Sequence, residues 1–162
     1  MSSALPKNVN RRGRKFLLLA TLWSAALLAD DLPPCGAGLN EVRLHVIVSG
    51  MHSARGNITI TVYPDNAARF LAKGGKLSRQ RVPTTLPATG ACFSLPAPGS
   101  YAVTVYHDED GDNKFKRTLI GLPDEGYGFS NNPKTLIGLP SLREVRFPAA
   151  VGDTSIDIAL TY

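Results

Sequence analysis

The first 29 residues contain no acidic side chain. All thirteen Asp and Glu lie at Asp30 or later, whereas five of the eighteen Lys and Arg (Lys7, Arg11, Arg12, Arg14 and Lys15) precede Phe16. The other thirteen basic residues balance the thirteen acidic ones, so the formal net charge of +5 belongs to the N-terminal stretch and the body of the chain is neutral. Nucleic-acid binding needs a localised surplus of Lys and Arg against phosphate, and the body offers none. An apolar run long enough to cross a bilayer is lacking too. The run Phe16 to Ala29 spans only about 21 Å as a helix, against roughly 30 Å of hydrocarbon. The chain has no H-E-x-x-H, no G-x-S-x-G and no phosphate-cradling glycine loop, and its histidines are three (His45, His52 and His107), so catalysis has thin support.

What the N-terminus does have is an order. A basic stretch ending RRGRK is followed by the apolar FLLLATLWSAALLA and then by the polar, turn-prone DDLPPCG. That order is the pattern of a secretory signal, expected over residues 1–29, with a linker over 30–40 and one domain over 41–162. The protein is accordingly expected to be exported, to the periplasm or beyond, with no stable membrane span. Leu32 and Cys35 stand where a lipoprotein box has them, but Pro34 before the cysteine disfavours processing, and Arg11-Arg12 lacks a following apolar residue close enough for the twin-arginine route.

Cysteine is scarce: Cys35 and Cys92 are the only two. In an oxidising compartment an even pair is most simply a disulfide, which would tie the N-terminal end of the domain to its middle. Two unpaired thiols, or a lipidated Cys35 with a buried Cys92, are the alternatives.

Period-two alternation is the dominant pattern in the body. Val42, Leu44, Val46 and Val48 share one face of VRLHVIV, and Ile58, Ile60 and Val62 share one face of ITITVY. Further strands are expected near 79–83, 91–95, 101–107, 143–147 and 155–162. One short helix is expected over 65–73, from an N-cap-like Asp65 to the stop at Gly74-Gly75. About seven short strands with turn signals between them indicate an all-β, antiparallel β-sandwich, with at most one short helix besides the signal segment. The turn Pro96-Ala97-Pro98-Gly99, followed by Tyr101 opening the next strand, resembles the hairpins of prealbumin-like and carboxypeptidase-regulatory-like sandwiches, which fits a prealbumin-like or Ig-like fold class.

Chemistry concentrates between His107 and Asn132. Asp108, Asp110 and Asp112 stand at alternate positions, as oxygen ligands do in the first half of an EF-hand-type loop, and Glu125 or Asp124 could fold back to complete a shell for Ca²⁺, the one cofactor the pattern suggests. Against this, Leu119 occupies the twelfth position where a bidentate Glu belongs, and Lys116 and Arg117 sit beside the turn; the bland alternative is a solvated β-turn. In GYGFSNN, Tyr127 and Phe129 could stack on a ligand such as a glycan while Asn131 hydrogen-bonds it, or the same residues could plug the sandwich and satisfy loop backbone. A cluster of His107, Asp108 and Glu125 would suit a metal-dependent or carbohydrate-active hydrolase.

His107-Asp108, the turn Asp110-Gly111-Asp112-Asn113, then Gly121-Leu122-Pro123, Glu125 and Tyr127-Gly128-Phe129-Ser130-Asn131-Asn132 together resemble the signature of the bacterial family called domain of unknown function 2141 (DUF2141). The similarity covers roughly Glu41 to Tyr162. It implies an exported β-sandwich and no established activity. The expected role is thus a binding or envelope-structural module, with an envelope protein or glycan as partner; the hydrolase is the alternative.

Overall fold

The computed structural model describes residues 35, 41–114, 124–134 and 138–162; the proposed signal segment and Lys116, Arg117 and Leu119 lie outside them. Eight strands and one short helix follow in the order β1 (Val42–Ser49), β2 (Asn57–Pro64), β3 (Ser78–Pro83), β4 (Ala88–Leu95), β5 (Gly99–Asp108), β6 (Tyr127–Phe129), α1 (Leu142–Val145), β7 (Phe147–Ala149) and β8 (Gly152–Ala159). They form two sheets. One has the order β4-β1-β8, and the other has β3-β2-β5-β6 with β7 also paired to β5. Every pairing is antiparallel except β1 with β8, which is parallel.

The sandwich follows from the alternation. Leu44, Val46 and Val48 of β1 face Ile58, Ile60 and Val62 of β2 and Val103 and Val105 of β5 across the interior, and each is at most 3% exposed. Burying an aliphatic side chain of this size contributes about 1.5–3 kcal/mol, so these residues dominate the fold's stability. β1 and β2 are adjacent in sequence yet lie in different sheets, so residues 50–56 form a crossing over one end of the sandwich rather than a hairpin. Tyr101 is buried at the start of β5 and donates its hydroxyl to Ala97 O at 2.6 Å, which anchors the Pro98-Gly99 reversal.

The outer face of the larger sheet carries a second, smaller cluster of Tyr63, Ala102, Phe129 and Val145, with Phe70, Tyr127 and Leu142 packed on it. Two expectations change here. Residues 143–147 do not form one strand: Leu142–Val145 is a helical turn and Phe147 opens β7. Ser141 and Glu144 supply the reason, because the Glu144 carboxylate accepts both the Ser141 N–H and its hydroxyl at 2.7 Å, which also holds that carboxyl below the usual carboxylate range. Residues 65–73 are turns rather than a helix. The Asn66 side chain accepts the N–H groups of Ala68 and Arg69, and Leu71 has a φ of 58°, in the left-handed region that ends any helical run.

Cys35 and Cys92 are joined in a disulfide across a separation of 57 residues, with Cα atoms 5.5 Å apart. In the chain-entropy picture a loop of that length contributes about 4 kcal/mol.

Candidate cation site and the cavity beside it

β5 ends at Asp108, which is fully buried, and the chain then turns through Asp110 and Asp112. The turn is built by its own carboxylates. Asn113 N–H donates to Asp108 Oδ2 at 2.9 Å, Asp112 N–H to Asp110 Oδ1 at 3.3 Å and Lys114 N–H to Asp112 Oδ1 at 2.8 Å. Gly111 and Asn113 take φ values of 73° and 61°, which glycine and asparagine tolerate best.

Glu125 comes to this turn from the other side. β6 pairs antiparallel with β5, setting Tyr127 opposite Tyr106, and His107 N–H donates to Gly126 O at 2.7 Å. That register sets Glu125, only 9% exposed, beside Asp108. One carboxylate oxygen from each of Asp108, Asp110, Asp112 and Glu125 lies within 4.8 Å of the others. All four residues proposed as cation ligands are therefore brought together.

Asp108 shows why the arrangement matters electrostatically. Its Oδ2 has Asn113 as a partner, but its Oδ1 is buried with no hydrogen-bond partner among the described residues. A buried carboxylate oxygen without a donor is costly unless a cation compensates it. Calcium is a hard cation that takes six to eight oxygens at about 2.3–2.6 Å, and it is the natural complement of such a donor set.

A cavity of about 290 Å³ opens beside the cluster, bordered by Asp110 and Glu125 together with Glu109, Asp124, Arg55 and Tyr162. Its inner wall is His107, which is fully buried. Nε2 lies 2.8 Å from Arg55 O and Nδ1 lies 2.6 Å from the Tyr162 hydroxyl. A carbonyl can only accept, so Nε2 carries the hydrogen and, in the neutral ring, Nδ1 accepts from Tyr162. Both ring nitrogens are engaged. His107 thus orients the crossing residues and the C-terminal residue rather than presenting a lone pair to a metal or a substrate.

Tyr162 itself was not singled out by the sequence, since 110 residues separate it from His52, its main partner. Their rings stack with centroids 3.6 Å apart at 11°, and His52 N–H donates to the Tyr162 hydroxyl at 3.1 Å. Burial pushes the Tyr162 hydroxyl up from its ordinary value, the neighbouring Glu109 charge adds to the rise, and the His52 N–H opposes both.

Tyr127, Phe129 and Asn131 lie on the outer side. Phe129 is 5% exposed in the smaller cluster and meets Tyr127 edge to face, with centroids 6.0 Å apart. Both border a groove of about 250 Å³ with Tyr63 and Tyr106. The Asn131 side-chain amide donates to Glu144 O at 3.1 Å and to Arg146 O at 2.9 Å, so it closes the end of α1. The Asn132 side chain extends the edge of β8: its Nδ2 donates to Asp157 O and its Oδ1 accepts the Ala159 N–H, both at 2.9 Å. Ser130 accepts Val103 N–H at 2.9 Å and donates to Val145 O. The Ser-Asn-Asn run therefore ties β5, α1 and β8 together.

A family model described as an uncharacterized protein conserved in bacteria (DUF2141) matches residues 46–157. No curated protein and no solved structure matches the chain.

Proposed function

The chain belongs to the DUF2141 family, and from that footing we propose that it is an exported β-sandwich module, binding or structural in the cell envelope, whose acidic turn is completed by Ca²⁺. The observation that carries the cation is the buried Oδ1 of Asp108, without a hydrogen-bond partner among the described residues, in a side chain that has a carboxylate oxygen within 4.8 Å of those of Asp110, Asp112 and Glu125. Export is supported by the basic and apolar order of residues 1–29 and by a disulfide of the kind that persists in oxidising compartments. No helix among the described residues is long and apolar enough to cross a membrane. A binding role is supported by the groove in which the partly exposed Tyr106 and Tyr127 lie beside the buried Tyr63 and Phe129, since exposed aromatic surface suits the apolar side of a glycan. The hydrolase alternative using His107, Asp108 and Glu125 has less in its favour, because the ring nitrogens of His107 are both taken.

Calorimetric titration with Ca²⁺ tests the cation. The wild-type protein should bind one ion with a Kd in the millimolar range or tighter, the range of extracellular calcium modules, and Asp110→Ala should lose that heat. No heat and no change in melting temperature with Ca²⁺ would end the reading.

A further inference from the structure

The disulfide sits in a second group of donor atoms, remote from the acidic turn. Antiparallel pairing of β1 with β4 sets His45 directly opposite Cys92, and parallel pairing with β8 sets Ser155 on its other flank. Cys92 Sγ lies 3.8 Å from His45 Nε2, and the sulfurs of Cys35 and Cys92 and a ring nitrogen of His45 all fall within 4.8 Å of one another. A tetrahedral zinc, with bonds of about 2.3 Å to sulfur and about 2.05 Å to nitrogen, holds those two ligands roughly 3.6 Å apart. The sulfur and imidazole of this site therefore already stand within a few tenths of an ångström of their spacing in a metal centre. Asp153 borders the site without joining that group of donors: its Oδ1 is 2.9 Å from His45 Nε2, and Arg43 fixes the carboxylate by bonds of 2.8 Å from Nε to Oδ1 and from a terminal nitrogen to Oδ2.

We infer that opening the Cys35–Cys92 disulfide creates a site for a thiophilic divalent metal such as Zn²⁺, held by Cys35, Cys92 and His45 with water in the fourth position. A dithiol reductant supplies two electrons and two protons, cleaving the sulfur–sulfur bond to two thiols while its own sulfurs join as a disulfide. The metal then displaces both thiol protons and forms two metal–sulfur bonds. His45 Nε2 donates to Asp153 in the closed state, since a carboxylate can only accept; on ligation that hydrogen is replaced by the metal and the ring carries its hydrogen on Nδ1. In the reverse step a small-molecule disulfide accepts two electrons from the thiolates and is released as two thiols, the sulfur–sulfur bond of the protein is remade and the ion is expelled. The two sulfurs serve the disulfide or the metal, never both at once. Two features make the site selective. Soft thiolates with one imidazole favour Zn²⁺ over Ca²⁺, and the sheet register fixes Cys92 against His45 before any metal arrives. The interior between the sheets is formed by residues other than these three, so the scaffold that positions them does not depend on the disulfide for its packing.

The test uses Co²⁺ as an optical stand-in for zinc. The full chain is reduced, freed of reductant without oxygen and titrated with Co²⁺, beside the oxidised chain, His45→Ala and Asp110→Ala. The reduced chain should take up one ion, show thiolate-to-cobalt charge transfer with the intense visible bands of tetrahedral geometry, and lose both on adding Zn²⁺. The oxidised chain should show neither. His45→Ala should weaken binding by about tenfold or more, as loss of a metal-site residue does, and Asp110→Ala should leave the spectrum unchanged. A reduced chain whose spectrum matches that of the oxidised one, a reduced chain that loses its β-sheet circular dichroism, or a His45→Ala variant that binds as tightly as the wild type would each overturn the proposal.

Discussion

Gly126 lies against the face of the Tyr162 ring: a Cβ at position 126 would come within 2.4 Å of Cζ and 2.6 Å of Cε1. His52 stacks on the same ring. The C-terminal tyrosine is therefore wedged beside the acidic turn by the absence of one methyl group. Gly126→Ala must push the ring out or shift the backbone that carries Glu125. Overpacking of this kind costs about 1–3 kcal/mol, so the variant should melt at a lower temperature and bind Ca²⁺ more weakly than the wild type. Thermal unfolding with and without Ca²⁺ measures both effects.

Tyr162→Phe keeps the ring but removes the hydroxyl. His107 Nδ1 then loses its donor at a fully buried position, and His52 N–H loses its acceptor. Leaving one buried polar group unpaired costs about 1–3 kcal/mol. Denaturant unfolding should show a lower midpoint with an unchanged slope, because the surface exposed on unfolding is the same.

On the opposite face, the hydrogen bonds from Arg43 and then His45 hold the Asp153 carboxyl far below the usual carboxylate range. A carboxyl depressed in the folded state contributes stability that is fully present above its unfolded value and is lost as the pH falls toward the folded one. Asp153→Asn should therefore lower the melting temperature at neutral pH, and the two proteins should converge in strong acid. Asp153 is largely exposed, so added salt should shrink the difference. A melting series from neutral to acid pH, at low and high salt, reads this directly.

These particulars also mark what the sequence could reveal. Alternation in residues 42–48, 58–63 and 101–107 named the core faces of β1, β2 and β5 because apolar side chains recur every second residue there, although Thr59, Thr61 and Tyr63 on the second face of β2 are buried as well. It misled at Val145 and Phe147, which share an apparent face in sequence although one belongs to a helical turn and the other to a strand; the capping pair Ser141 and Glu144 was the available signal. β6 is three residues long and half glycine-flanked, too short for any period to appear. Its place is fixed by tertiary contacts, with Gly128 approaching Ile158 and Ala159 and Tyr127 pairing with Thr161. The acidic cluster was legible because three of its residues are local and Glu125 follows within one loop. Tyr162 and His52 were not, since nothing local couples a crossing loop to a chain end.

Asp108 is the residue on which the proposed cation binding turns most directly. Its buried Oδ1 is a burden to the fold without a cation and a ligand with one. Melting temperatures of the wild type and Asp108→Asn, each measured in chelator and in saturating Ca²⁺, test this with a change of sign. In chelator the variant should be as stable as the wild type or more so. In Ca²⁺ the wild type should gain about 2.7 kcal/mol at a hundredfold excess over Kd, while Asp108→Asn should gain little and fall below it. Equal destabilisation of the variant in both conditions would contradict the account, for the carboxylate would then serve the turn alone.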